Sequence, residues 1–256
     1  VPREGATTVL APSGHVVIYS GDDHHFEYLY RFVSEKTYNP TSRVANLDLL
    51  NQGTLSVAQF SPDGTLRWLP LVFGTGPLTP KNGFENQADL LIQTRQAADL
   101  LGATPMDRPE GIAVNPITGN VYVMLTKNKK RTKEEAAGPN PIAYNQHGHI
   151  LEIIPPKTNE ATNHEAKRAR WDILLAGGDP TNPEHHAQYN PRTTGAGALA
   201  NPDNATFDST GQLWISTDGA EKSLGSCDGL WACETDGPHR AMPRRFIRVP
   251  HGAELC

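Results

Sequence analysis

The chain has 256 residues, of which 37% are hydrophobic and 20% are charged. This is the composition of a globular protein, and the length suits one large domain. The formal net charge is −5 at pH 7 and the basic clusters are short, so we expect no nucleic-acid partner. No apolar stretch approaches the roughly 18 residues that a membrane-spanning helix needs. The 23 glycines and 21 prolines indicate many turns rather than long helices.

In chain order, alternating apolar residues separated by glycine turns predict strands along most of the sequence. We predict strand pairs turning at Gly14, Gly64, Gly119 and Gly211. Further single strands are expected at residues 29–33, 149–154 and 170–176.

One segment breaks this β pattern. Residues 86–101 have apolar residues at helical spacing, and Gly102 suits a C-terminal cap, so we predict one inserted helix. Its shared face would comprise Ala88, Leu91, Ile92, Arg95, Ala98 and Leu101. Residues 127–147 and 177–200 lack periodicity and are predicted to be loops, with the basic run from Lys127 to Lys133 in solvent.

A carboxylate precedes three of the predicted hairpins. The phrases are Arg3-Glu4-Gly5, Arg108-Pro109-Glu110-Gly111 and Asn201-Pro202-Asp203-Asn204. Recurring hairpins are typical of radial architectures, so we predict an all-β fold, a β-propeller with helical and loop insertions. The first strand of each propeller blade starts near the central channel, and these carboxylates should therefore converge there.

Converging carboxylates repel one another unless a cation binds between them, and the pattern therefore predicts a metal site. The acidic residues Asp22, Asp23 and Glu27 after the first hairpin either hold a peripheral calcium or are simply exposed. The same two interpretations apply to Asp218. Cys227 and Cys233, separated by five residues in a predicted loop, form either a local disulfide or a pair of free thiols.

Longer phrases resemble the PhoX-type alkaline phosphatases in colinear order over essentially the whole chain. They are Gly21-Asp22-Asp23 with Phe26-Glu27-Tyr28, residues 76–79, residues 100–110 (LLGATPMDRPE), Asn140-Pro141 before Gly148-His149-Ile150, and Pro202-Asp203-Asn204 before residues 213–219 (LWISTDG). Colinear phrases of this length are far more specific than one short motif.

The resemblance implies that residues 1–256 are part of a single β-propeller phosphatase domain, six-bladed in the full-length protein, with both ends cut. It implies hydrolysis of phosphate monoesters for phosphate scavenging, with iron (Fe3+) and calcium as cofactors. A monomeric protein of the periplasm or the extracellular space is expected, with its export signal upstream of this chain.

For individual residues, the resemblance places metal ligands at Glu4, Glu110, Asp203 and Glu254. It gives Arg108 the catalytic role of binding the substrate phosphate. The chain departs from the family pattern at Ala253, where a cysteine is frequent, and the upstream cysteine ligand of the family has no match here.

Two other readings account for the carboxylates. A calcium-dependent lactonase-like propeller also gathers acidic residues around one calcium, but it has less need of Arg108. A non-catalytic propeller binding module would use calcium only as a structural pin. Visible absorption separates a ferric site from both, because calcium alone is colourless.

Overall fold

Strands dominate the structure, a computed structural model that describes residues 3–255. Fifteen strands are described: β1 (Arg3–Leu10), β2 (His15–Asp22), β3 (Leu29–Thr37), β4 (Gly53–Phe60), β5 (Thr65–Pro70), β6 (Pro109–Val114), β7 (Val121–Leu125), β8 (His149–Ile154), β9 (Lys157–Thr158), β10 (Ala161–Thr162), β11 (Arg168–Ala176), β12 (Pro202–Phe207), β13 (Leu213–Thr217), β14 (Gly229–Cys233) and β15 (Arg244–Arg248). Three short α-helices are α1 (Gln87–Ile92), α2 (Thr94–Leu101) and α3 (Ala220–Leu224).

The strands form antiparallel ladders. Nine of them make one sheet in the order β1-β2-β3-β4-β5-β11-β8-β7-β6, and four make a second sheet in the order β12-β13-β14-β15. The edge strands β1 and β6 of the large sheet also contact each other, so this sheet is nearly closed and barrel-like. The mostly-β class is therefore confirmed. The predicted β-propeller is not confirmed, because the large sheet continues from β5 to β11 without a break.

Three apolar clusters hold the layers together. One packs β1–β5 against β6–β8 and includes Tyr19, Trp68 and Val123. A second lies between β6–β8 and the four-stranded sheet and includes the fully buried Trp231. The third buries Phe84 under α1 and α2. Because all three clusters join elements distant in sequence, the strand starts are fixed relative to one another.

The predicted single helix is wrong in detail. The chain leaves helical geometry at Gln93 (φ −95°, ψ 38°), so α1 and α2 are separate helices. The predicted apolar face is also wrong, since Ile92 is 78% exposed while Leu90 and Ala97 are buried. The break at Gln93 resets the helical phase, and one periodicity cannot describe both helices. Gly102 does cap α2 in the left-handed conformation.

Residues 127–147 are irregular as predicted, but the basic run is not wholly solvated, because Arg131 is buried. Cys233 lies in β14 rather than in a loop. Cys227 and Cys233 are both buried free thiols, so the disulfide alternative is wrong for this structure. Within residues 3–255, no helix has the length and apolar character required to cross a membrane.

Candidate metal centre

The starts of β1, β6 and β12 lie side by side. Gly111 follows Glu110, and a Cβ there would stand 2.7 Å from the carbonyl oxygen of Asp203. Gly21, at the end of β2, packs equally closely, with its Cβ position 2.5 Å from the carbonyl oxygen of Pro109. Glycine is required at both positions because no side chain fits between these backbones. The close approach carries the three predicted carboxylates to the same region.

Three carboxylates meet at this convergence. Ligand oxygens of Glu4, Asp23 and Glu110 all lie within 4.8 Å of one another. The Glu110 side chain is only 6% exposed and that of Asp23 is 18% exposed. Oxygen atoms at this spacing are what hard cations such as calcium and ferric iron bind.

Asp203 adds a fourth negative charge. Burial, and then the charges of Asp218 and Glu4, raise the pKa of Asp203 to about 6. Asp218 stands directly after β13, whose last residue Thr217 pairs with Pro202 across the hairpin. Asp218 therefore belongs to the surroundings of this carboxylate group.

Arg108 is the cation of this centre. Its Nη2 atom lies 2.8 Å from Asp23 Oδ1 and 3.0 Å from Glu110 Oε1. The residue adopts a left-handed backbone conformation (φ 51°), which is uncommon outside glycine and marks a constrained position. All the described ion pairs of Arg108 use Nη2, so the rest of its guanidinium fork remains available to a ligand.

Asp22 has a different task from its neighbour Asp23. Its fully buried carboxylate accepts two hydrogen bonds from Arg95 on α2, at 2.8 Å from Nε and 2.6 Å from Nη2. Bidentate pairs of this kind hold their geometry well. Arg95 Nε also lies 3.2 Å from Glu27. The helical insertion thus anchors the end of β2, from which Asp23 projects.

Within the described chain, the positive charge of Arg108 does not balance the negative charges of these carboxylates. Burial, followed by the charge of Asp23, raises the pKa of Glu110 well above its usual range, although Arg108 opposes the shift. Asp23 Oδ1 is buried and has no hydrogen-bond donor in suitable geometry, despite the nearby guanidinium. A multivalent cation would relieve both conditions, so the donor set fits a metal site.

The structure brings Glu4, Glu110 and Arg108 together, with Asp203 close enough to interact by charge. It does not add Glu254, which is exposed and is not among the converging carboxylates. Nothing in the geometry of the described chain assigns Glu254 to this centre.

Sequence reasoning underrated Asp23. The pairing of the first hairpin could have found it. Glu4 pairs with Gly21, so the end of β2 must lie beside the start of β1. Asp218 carries the same signal after β13. A carboxylate after the second strand of a hairpin is as well placed as one before the first.

Comparisons with known proteins identify the family of this chain. The family model described as "Alkaline phosphatase PhoX" matches residues 2–256. A structure of Pseudomonas fluorescens PhoX, in complex with the transition-state analogue vanadate, superposes with a TM-score of 0.88 and 34% sequence identity. The match covers 98% of this chain and 45% of that one, so the chain spans less than half the length of this relative. A search of curated proteins found no match. The chain belongs to the PhoX alkaline phosphatase family.

Proposed function

We propose that the protein hydrolyses phosphate monoesters at a metal centre to which this chain contributes Glu4, Asp23, Glu110 and Asp203. The observation that carries the proposal is the convergence of Glu4, Asp23 and Glu110 oxygens within 4.8 Å, next to Arg108. Membership of a phosphatase family supports it.

The proposed cofactors are iron (Fe3+) and calcium. Both are hard cations, and the centre offers carboxylate oxygens, the ligands that such ions prefer. When bound, such ions would polarise the phosphoryl group and lower the pKa of a coordinated water. Glu4, Asp23, Glu110 and Asp203 would hold them. Glu254 is proposed as a further ligand on the family resemblance alone.

Arg108 would bind the substrate phosphate. A guanidinium presents a planar fork that can donate to two phosphate oxygens at once. Its two carboxylate contacts, with Asp23 and Glu110, hold Nη2 in place. A donor fixed before the substrate arrives needs little reorganisation during the reaction, which favours stabilisation of the transition state.

We further propose a six-bladed propeller for the full-length protein. The close-packed starts of β1, β6 and β12 support it, since first strands of blades meet in this way. A single domain, a monomeric state and a periplasmic or extracellular location complete the proposal, and the location rests on the family resemblance.

The decisive experiment combines metal analysis, visible absorption and a phosphomonoester assay. Glu110→Gln removes one charge and preserves the shape of the side chain, so we expect the fold to persist while bound metal and activity fall at least tenfold. The matched control is Glu184→Gln, because Glu184 is exposed and is not one of the converging carboxylates. Unchanged iron and calcium in the Glu110 variant would remove this residue from the ligand set. A colourless protein that binds only calcium would favour the lactonase-like or non-catalytic readings.

A further inference from the structure

One cavity of the protein is lined by none of the residues of the carboxylate centre. It has a volume of about 800 Å³ and opens at the junction of β3, β4 and β5 with residues 165–168. Its lining includes Arg31, Ser56, Arg67, Trp68, Lys167 and Arg168. Nothing in the proposed phosphatase reaction uses these residues.

Arg31 is an unusual buried cation. It is 5% exposed, and its Nη1 atom donates to the backbone oxygens of His164 and Ala166, at 2.7 Å each. Its Nε atom is buried and has no hydrogen-bond partner in the described chain. Within residues 3–255 no carboxylate lies within ion-pair distance of it, and Glu165, which contacts His15 at 3.7 Å, acts on Arg31 only by charge from further away. A buried charge without a counter-ion is costly, and such groups are normally paired.

A second, independent observation comes from the rim. Arg67 on β5 and Arg168 on β11 stand directly opposite each other in the antiparallel ladder. Like charges in directly opposed positions destabilise a sheet. Neither side chain has an ion-pair partner within the described residues, and both are exposed at the cavity. The two guanidinium groups therefore repel each other, and a bound anion would relieve this repulsion.

The charge balance selects the kind of anion. Four arginine and lysine residues line the cavity, namely Arg31, Arg67, Lys167 and Arg168, against the two acids Glu35 and Glu165. The excess of two positive charges on a chain of net charge −5 matches a dianion better than a carboxylate. Phosphate groups carry close to two negative charges at neutral pH. The Trp68 ring, 4.8 Å from the Arg31 guanidinium carbon, fixes the orientation of the buried cation.

We propose that this cavity is a second, non-catalytic binding site for a dianionic phosphate group, with Arg31 at its floor and Arg67, Lys167 and Arg168 at its mouth. The site is separate from Arg108 and Glu110. It is independent of the proposed metal chemistry, because every cation that forms it is a side chain of this chain.

Titration with inorganic phosphate tests the proposal, with tryptophan fluorescence and the melting temperature as readouts because Trp68 lines the cavity. The titration is made on the wild-type protein and on Arg108→Ala, which should weaken phosphate binding at the proposed metal centre. We expect a saturable response that survives Arg108→Ala. Acetate at matched ionic strength should bind at least tenfold more weakly.

Two substitutions assign the response to the cavity. Arg67→Glu should lower phosphate affinity at least tenfold, because it removes one cation and supplies Arg168 with an internal partner. Arg170→Glu is the matched control, since Arg170 is an exposed residue of β11 outside the cavity lining, and it should leave affinity unchanged. Arg31→Met should abolish binding. If that variant fails to fold, the exposed Arg67 variant still decides the matter.

Phenylphosphonate, which is not a phosphate ester, distinguishes the source of the phosphate group. Tighter binding than inorganic phosphate would assign the site to a phosphate carried on an organic group, and weaker binding would assign it to the free ion. Three outcomes would overturn the proposal: no saturable response in Arg108→Ala, equal affinity in Arg67→Glu, or equal affinity for acetate.

Discussion

The buried carboxylate of Asp107 forms an ion pair with the guanidinium of Arg131, whose Nε atom lies 2.5 Å from Asp107 Oδ1. Asn128 and Asn145 also donate to this carboxylate, at 2.9 and 3.2 Å. Asp107 immediately precedes Arg108, so the irregular segment 127–147 is tied to the residue beside the candidate phosphate-binding arginine. The ion pair links the shape of that loop to the orientation of Arg108.

Arg131→Met should therefore destabilise the protein strongly. The substitution leaves the Asp107 carboxylate buried without its cation, and breaking a buried pair in this way typically costs about 3–5 kcal/mol. We expect a clear fall in the urea midpoint. Lys130→Met, at the exposed neighbouring position, should change stability by no more than about 0.5 kcal/mol. The double variant Asp107→Asn/Arg131→Met should recover part of the loss, and an unchanged midpoint in Arg131→Met would contradict the assignment.

Arg108→Ala should lower kcat/KM on a phosphomonoester by about 2–4 kcal/mol of transition-state stabilisation, the size expected for one preorganised donor. Arg108→Lys keeps the charge but loses the planar fork, so it should be impaired less severely. Metal content should stay near normal in both variants. Wild-type kinetics in the alanine variant would remove the proposed role, while loss of metal would reassign Arg108 to assembly of the centre.

Cys227 and Cys233 should be recovered as free thiols. Alkylation under denaturing, non-reducing conditions followed by peptide mass spectrometry should label both residues. In the native protein Cys233 should react slowly, because burial raises the pKa of its thiol to about 12 and the thiolate is the reactive form. A pair of peptides joined by a Cys227–Cys233 disulfide in the unreduced sample would contradict this prediction.

His164 should make the fold sensitive to acid. Burial and the nearby charge of Arg31 lower the pKa of His164 to about 4, while its imidazole Nδ1 lies 3.1 Å from the Tyr19 hydroxyl oxygen. The unfolded chain, with a histidine pKa near 6.5, binds the proton more readily below that pH. Stability is therefore fully present above about pH 6.5 and decreases as the pH falls towards 4, by up to about 3 kcal/mol.

The measurement is the urea midpoint between pH 7 and pH 4. His164→Gln should flatten this profile, whereas His24→Gln, at an exposed position, should leave it unchanged. A profile of the same steepness in His164→Gln would assign the acid sensitivity to other groups.

Sequence alone was sufficient for the local features. Hairpins such as β6–β7 were predictable because strand alternation and a glycine turn depend on near neighbours. The carboxylates at Glu4 and Glu110 were found for the same reason, since each occupies the same place in its hairpin. Colinear phrases carried the family assignment, which the comparisons confirm.

Register and tertiary packing decided the rest. Asp23 joins Glu4 and Glu110 only because β2 returns to the start of β1 and β6 packs against both, a relationship set by long-range contacts. The break at Gln93 likewise depends on what α1 and α2 pack against. The spacing of apolar residues in the sequence carries no information about that packing. The buried charge of Arg131 looked like part of a solvated basic run, because its partner Asp107 lies 24 residues away. A single sequence records which groups are present, whereas their distances, burial and charge compensation follow from how distant segments pack.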